Sequence, residues 1–478
     1  MSAVTVHGVD DARREIVVAG EGAAPSEAWL VGSRARVAAR ITGRGRTWKA
    51  RLPLHVSRWG GADLPLPSGA YRIEIPGAEV AGSAPLTLLD DLRVAVDGSD
   101  VTIGPPVDPA VEQPDGRAAL ERRYADRTDA LENAVFFESF YGRVAGDNPL
   151  AIDREIARIA PAVTRYWSVV DLSVEVPHGA IPVVEGTEEW WHARGAARLL
   201  VVNDWLRRRF VRRSGQRVLQ TWHGTPLKRL ALHRRGFDPR RWGAIVKESR
   251  RWDVLLAQNP YAARTLSRAY AFLGRPVWIE GYPRNDVLAS GRDDGTRARL
   301  GIDTGERVLL YAPTWRDDRS EIVDFVDPAR LAAETGSVVL VRGHSRTLQP
   351  GRDADGPRVI DVTGFADTSR LLAAADALIT DYSSVMFDFS VTGKPMYFLV
   401  PDLEHYRGAL RGFYFDLAER APGPLVRTHE DLVAALAADP SAYADRYASW
   451  RARFNRREDG RAAERVVARL LDQGFVAR

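Results

Sequence analysis

Two histidines and a pair of serines stand where a chain could do chemistry. His223, in Thr221-Trp-His-Gly-Thr-Pro-Leu-Lys228, precedes Gly224 and Pro226, which fix a tight turn. A histidine on such a turn can take up a proton near neutral pH and act as a general base. A loop histidine bonded to backbone is the alternative. His344 ends Arg342-Gly-His344. An arginine with a histidine suits phosphate oxygens, because both donate hydrogen bonds and both can be cationic; a surface arginine and a capping histidine would read the same way. Asp381-Tyr-Ser-Ser384 opens a stretch expected to be helical from Val385 to Val391. Free amides and the hydroxyls of Ser383 and Ser384 would then face an anion at the helix N-terminus, or simply cap it. Asp388 falls one turn after Ser384, on the same face. Phosphate would repel it, so it is expected to bind a ribose or substrate hydroxyl. Thr314 and Trp315 offer a hydroxyl and an aromatic wall, with core packing the alternative for Trp315. Gly281-Tyr-Pro-Arg-Asn-Asp286 adds Arg284 to this set of polar residues.

Other chemistries are not legible. The chain lacks cysteine, which excludes disulfides, thiolate nucleophiles and thiolate-ligated zinc. It has no GxxxxGK[ST], HExxH, GxSxG, or GxGxxG after a strand with a trailing acid. His405 and His429 stand apart from the motifs and read as structural. No acidic metal cluster is seen, so no metal site is assigned and no cofactor is required, although Mg²⁺ beside a phosphate would be compatible.

The elements that must position these residues are buried strands. From Ala134 onward, apolar runs alternate with longer helical stretches: Ala134–Phe137, Ile181–Val184, Leu199–Val202, Val218–Trp222, Val254–Ala257 and Val277–Ile279. After a Gly/Arg/Asp-rich break near 290–305 come Val308–Tyr311, Val338–Val341, Ala377–Thr380 and Met396–Val400. Such alternation predicts parallel α/β sheets. Two series separated by a break predict two doubly wound lobes, with sites beyond the carboxyl ends of the strands. The motifs stand at those ends.

Upstream, 1–103 reads as a β-rich, sandwich-like accessory domain. Tyr71–Ile75 alternates strictly, and Asp97-Gly98 separates two strands in a hairpin pattern. Residues 104–133 read as a linker followed by a helix, the Pro- and acid-rich GPPVDPAVEQPDG being the linker. The lobes are expected at 134–290 and 291–478.

With 478 residues, 45% hydrophobic and 27% charged, the chain is not disordered, and +4 overall implies little. No apolar run is long enough to span a membrane, and MSAVTVHGVDDARREIV lacks the apolar core of a signal peptide. Charge is concentrated between Arg207 and Arg251, where Arg208, Arg209, Arg212, Arg213, Arg240, Arg241 and Lys247 mix with Trp205, Phe210, Trp242 and Ile245. Basic and aromatic residues together suit an anionic membrane surface; a solvated basic face is the alternative. No nucleic-acid module is visible, so nucleic acid is not expected as a partner.

In order along the chain, Phe136-Phe-Glu-Ser-Phe140 with Asp147-Asn-Pro149, Gln220–Lys228, Gly281–Arg284, Ala312–Trp315, Arg342–His344, Asp381–Ser384 with Phe387-Asp388, and Arg411–Asp416 resemble the CDP-glycerol glycerophosphotransferase family of teichoic acid and capsule enzymes. The resemblance covers Phe136 to Leu471. It implies a GT-B-like α/β fold of two Rossmann-like lobes, with nucleotide on the C-terminal one. It also implies transfer of alditol phosphate from CDP-glycerol or a related CDP-alditol to a lipid-linked acceptor, at the cytoplasmic face of the cell membrane. His223 matches the family's general base and His344 its second essential histidine. Arg284, Thr314, Trp315, Arg342, Ser383, Ser384 and Asp388 match positions lining the donor site. Segment 1–103 lies outside the resemblance, and Ser345 stands where many members have proline. A GT-B nucleotide-sugar glycosyltransferase and a non-catalytic scaffold binding anionic polymer or lipid remain the alternative functions.

Overall fold

The computed structural model describes residues 2–44, 46–291, 293–314, 325–343, 356–406 and 412–478. Its first hundred or so residues build two large sheets around one core, with a separate two-stranded ribbon, His55–Ser57 with Asp63–Pro65. One sheet runs Ala78–Ala81, Ser2–Asp10, Glu15–Glu21, Thr47–Pro53, Arg40–Arg44. The other runs Ser83–Leu88, Arg93–Asp97, Asp100–Gly104, Gly69–Glu74, Trp29–Gly32, Arg36–Ala38. Apart from the parallel pairing of Ser2–Asp10 with Ala78–Ala81, their ladders are antiparallel. Two-residue periodicity sends Ile16, Val18, Trp48 and Leu52 from one sheet, and Leu30, Tyr71, Val94 and Val101 from the other, into a shared buried cluster. The hairpin pairing Asp97 with Asp100 turns through Gly98 at φ 56, which glycine adopts without strain.

The expected linker is largely helical. Helices span Pro109–Glu112 and Pro114–Ala125, each with proline in its first turn, and the Asp108 carboxylate accepts the Ala110 N–H at the start of the first. Proline opens a helix well because its missing N–H would have no partner there. Leu120 and Tyr124 then pack into the core of the following sheet.

That sheet has seven parallel strands in the order Ile181–Val184, Thr164–Val169, Glu132–Glu138, Ala197–Val202, Arg217–Gln220, Val254–Ala257, Val277–Ile279. A second sheet has six, in the order Val359–Asp361, Val338–Val341, Val308–Ala312, Ala377–Thr380, Met396–Leu399, Leu425–Val426. Each sheet is doubly wound, its order reversing beside its first strand. A reversal opens a crevice at the carboxyl ends, where neighbouring connections leave in opposite directions.

The chain does not stay in the second lobe to its end. Helix Ala444–Phe454 buries Trp450 and Phe454 in the second lobe's core. Helix Ala462–Asp472 then returns to the first lobe, where Val466, Val467 and Leu470 join Phe475 and Val476 in its core. The Asp286 carboxylate accepts the N–H groups of Ala462 and Ala463, each at 2.8 Å, holding the start of that helix. The expected lobe boundary of 291–478 therefore groups in sequence a segment that packs elsewhere in space.

Candidate active site

At the first lobe's crevice, backbone strain and side-chain bonds shape the turn carrying His223. Trp222 has φ 52, and its N–H is held by Gln220 Oε1 at 2.9 Å. His223 is half-buried, its ring stacked on Trp222 with centroids 4.4 Å apart and Phe140 5.7 Å away. Its Nδ1 lies 2.6 Å from the Asn203 carbonyl. A carbonyl only accepts, so Nδ1 carries the proton and Nε2 is left as the basic nitrogen. The Asn203 side chain in turn accepts the Phe140 N–H at 2.9 Å. One asparagine at the switch point therefore links two neighbouring strand ends to the histidine.

The second lobe's crevice is tied in the same place. Both Asp381 oxygens accept the Thr314 N–H at 3.0 Å, and Asp381 Oδ1 accepts the Tyr382 N–H at 2.5 Å. Thr380 Oγ1 donates to the Ala312 carbonyl at 2.7 Å. Asp381 thus joins the ends of the two strands flanking the reversal. The helix that follows is short, Val385–Phe389, with a 3₁₀ turn over Ser390–Thr392. Ser383 Oγ accepts the Val385 N–H at 3.4 Å, and Ser384 makes no capping bond.

The two crevices meet at Gly224. A Cβ there would lie 2.6 Å from Ser384 Oγ and 3.8 Å from an Arg284 nitrogen, so only glycine permits the approach. Beside it, Arg284 donates to Asp147 (2.5 Å) and to Asp388 (2.8 Å), while Asn285 Nδ2 donates to the other Asp388 oxygen at 2.9 Å. The Arg284 N–H also donates to Asn148 Oδ1 at 3.2 Å. Burial alone would lower the Arg284 pKa, but the two carboxylates outweigh it and hold the guanidinium above its ordinary value. Beneath this group, Glu458 accepts the Tyr282 N–H at 3.1 Å, and burial pushes its carboxyl up to about 8.

The structure therefore brings His223, Ser384, Arg284 and Asp388 to one seam, with Thr314 held to Asp381 across the second reversal. It departs from the sequence reading in three places. Asp388 does not present a free carboxylate for a hydroxyl, since Arg284 and Asn285 occupy both oxygens. Arg284 braces the lobes between two acids. Arg342 donates to the carbonyls of Val362 (3.0 Å) and Phe365 (2.9 Å), and burial pushes its pKa down to about 10. Trp315 and His344 lie outside the described residues. Sequence reasoning quoted Asp147, Asn148 and Asn285 within motifs but gave them no role, and it missed Asn203 and Glu458. Asn203 follows the apolar run Leu199–Val202 directly, so the strand-end rule used for the other motifs could have found it. Among the described residues, no group of three or more His, Asp or Glu side chains could hold a metal ion.

The basic stretch divides in two. Arg208 pairs with Glu185, Arg212 with Asp253 and Arg251 with Glu248, while Arg213 donates to the carbonyls of Gly195 and Asp129. These arginines hold loops together. Helix Pro239–Ser249 is different: Arg240, Trp242, Lys247 and, just beyond its end, Arg250 are exposed. Phe237, 73% exposed, packs edge-on against Trp242, their centroids 5.0 Å apart. Among the described residues no helix is long and apolar enough to cross a membrane.

Residues 122–472 match the family described as CDP-Glycerol:Poly(glycerophosphate) glycerophosphotransferase. The chain is 36% identical over 370 residues to the teichoic acid poly(glycerol phosphate) polymerase of Bacillus subtilis (strain 168), which covers 72% of this chain and 49% of that one. It is 34% identical over 371 residues to the teichoic acid glycerol-phosphate transferase of Staphylococcus aureus (strain NCTC 8325 / PS 47), covering 71% and 93%. The chain thus spans about half the length of the first relative and most of the second. A solved structure of the wall teichoic acid polymerase TagF superposes with a TM-score of 0.69 at 28% identity, over 77% of this chain and 95% of that one.

Proposed function

The chain belongs to the CDP-glycerol:poly(glycerophosphate) glycerophosphotransferase family, and from that membership we propose that it transfers glycerol phosphate, or another alditol phosphate, from a CDP-alditol to a hydroxyl of a lipid-linked surface-polymer acceptor. The observation that carries this reading is the seam at Gly224, where a histidine with a basic Nε2 adjoins the Ser384 turn of the other lobe.

In the proposed step, the acceptor hydroxyl oxygen attacks the phosphorus bearing the alditol. His223 Nε2 takes the hydroxyl proton. The P–O bond to the bridging oxygen breaks, and CMP leaves with that oxygen. The product keeps one phosphorus as a phosphodiester. Proton removal by a positioned base is worth about 10²–10⁴-fold. The hydroxyls of Ser383 and Ser384 and the Thr314 turn would surround the donor diphosphate and steady charge on the departing CMP, with His344 adding a cation as the family resemblance implies and Arg342 holding its strand end to the Val362 and Phe365 carbonyls. Arg284 and Asp388 would serve by holding the lobes at the working distance. No cofactor is needed for this step.

The same reading extends to architecture and place. The two parallel sheets are the Rossmann-like lobes of a GT-B-like enzyme, and the two N-terminal sheets form an accessory β-sandwich. The protein works as a peripheral enzyme at the cytoplasmic face of the cell membrane, docking through helix Pro239–Ser249. The exposed Phe237 and Trp242 beside Arg240, Lys247 and Arg250 support this, since such a face combines interfacial aromatics with headgroup-binding cations.

Incubation with CDP-glycerol, CDP-ribitol and a lipid-linked acceptor should release CMP and leave one phosphorus in the product. Chromatography of the spent nucleotide and mass analysis of the product read both. Release of CDP, or turnover of a UDP- or GDP-sugar with neither CDP-alditol used, would instead make the chain a glycosyltransferase.

A further inference from the structure

The N-terminal sheets lie outside the family match, which begins at residue 122, yet they are not a loosely tethered unit. Strands His55–Ser57 and Asp63–Pro65 pair as a short ribbon. The loop between them projects Trp59 through two left-handed residues, Trp59 at φ 48 and Gly60 at φ 64. A non-glycine residue at positive φ is strained, and such strain persists only where contacts on the other side hold it.

Those contacts come from the second lobe. The Trp59 indole N–H donates to the Asp361 carbonyl at 3.1 Å. Its ring meets Phe365 edge-on, with centroids 5.9 Å apart. A Cβ on Gly364 would lie 2.7 Å from the Trp59 ring, so the loop is cut to receive the indole. Arg299 donates to the Trp59 carbonyl at 3.3 Å. The β domain also grips the first lobe: the Ser68 N–H donates to Asp171 at 2.8 Å, and Arg34 pairs with the same carboxylate at 3.7 Å.

The loop under Trp59 is the one that supports the donor-side strand end. Val362 and Phe365 supply the two carbonyls that hold the Arg342 guanidinium, and Thr363 Oγ1 accepts the Gly343 N–H at 3.1 Å. Its far end reaches the first lobe, where Asp367 pairs with Arg154 at 3.0 Å and the Ala366 carbonyl would lie 3.0 Å from a Cβ on Gly146. Three parts of the molecule therefore converge on residues 361–367.

We propose that Trp59 is a positioning residue for the donor site: docked on loop 361–367, it fixes Arg342 and Gly343 and so tunes how the protein binds its CDP-alditol. The proposal rests on the donor assignment above. In this role the accessory domain braces the catalytic lobes rather than merely accompanying them.

The test uses the full-length chain carrying Trp59→Ala or Trp59→Phe, with Val18→Ala, in the β-domain core away from this contact, as the stability control. Trp59→Ala should raise KM for CDP-glycerol about tenfold while leaving KM for the acceptor unchanged. Trp59→Phe, which keeps an aromatic ring but loses the N–H donor, should fall between it and wild type. Val18→Ala should lower the melting temperature without moving the KM for CDP-glycerol. Hydrogen exchange supplies a readout independent of turnover: amides of 338–343 and 359–367 should exchange at least several-fold faster in Trp59→Ala. Unchanged exchange there overturns the proposal, whether or not CDP-glycerol is the donor. So does an equal KM rise in Val18→Ala. If Trp59→Ala shows the exchange effect but the wild-type protein turns over no CDP-alditol, the functional reading alone is overturned.

Discussion

The histidine that carries the proposed chemistry is defined by one hydrogen bond. With Nδ1 spent on the Asn203 carbonyl, Nε2 is the nitrogen that can accept a proton. His223→Ala should therefore lower turnover about 10²–10⁴-fold while calorimetry still detects CDP-glycerol binding; turnover within threefold of wild type would remove His223 as the base. The other side chains at this scale show what spacing cannot convey. Arg284, just past a strand end, and Asp388, in the short helix after another, read as ligands for substrate. They pair instead with each other, 104 positions apart, and Arg284 also with Asp147, 137 positions away; ion pairs across such separations leave no trace in local sequence. Gly224 read as a turn residue, but it is also a point where the lobes touch.

Among the elements, continuous apolar runs proved dependable. Ile181–Val184, Val254–Ala257, Val277–Ile279 and Val338–Val341 are strands over the residues expected. Thr164–Val169 escaped notice because Thr164, Arg165 and Ser168 interrupt its pattern, and the Arg165 that breaks it is buried by pairing with Asp153 at 2.9 Å. Helix Pro239–Ser249 carries the element-scale prediction. Burying an aromatic side chain contributes about 1.5–3 kcal/mol, so the double substitution Phe237→Ser with Trp242→Ser should weaken binding to anionic liposomes by at least about tenfold. Unchanged sedimentation with vesicles would exclude this helix as the docking face. Arg212→Glu should act differently, lowering the melting temperature because it breaks the pairing with Asp253.

For the molecule as a whole, the junction between lobes links stability to pH. Burial raises Glu458 from 4.5 to about 8 and Asp286 from 3.8 to about 6. Between those values the folded chain holds protons that the unfolded chain has released. Stability contributed by these groups is therefore greatest at low pH and declines as pH rises, for Glu458 from about 4.5 to about 8. Glu458→Gln, which stays neutral throughout, should flatten the fall in melting temperature between pH 5 and pH 8 and melt higher than wild type at pH 8. A variant whose melting temperature follows the wild-type pH slope would show that Glu458 does not titrate in this window.

Alternation of apolar runs and polar strand ends was enough to establish two parallel lobes and to place His223, Thr314 and Ser384 at their crevices, because buried parallel strands must be apolar and their crevices must be polar; it did not decide what those residues do. Local patterning could not decide which of those polar groups stay open and which are consumed in holding the lobes together. Nor could it assign Ala462–Val476 to the first lobe or set Trp59 against residues 361–367. Those contacts join residues far apart in the chain, and their energy depends on burial and distance that exist only once both lobes and the β domain have packed.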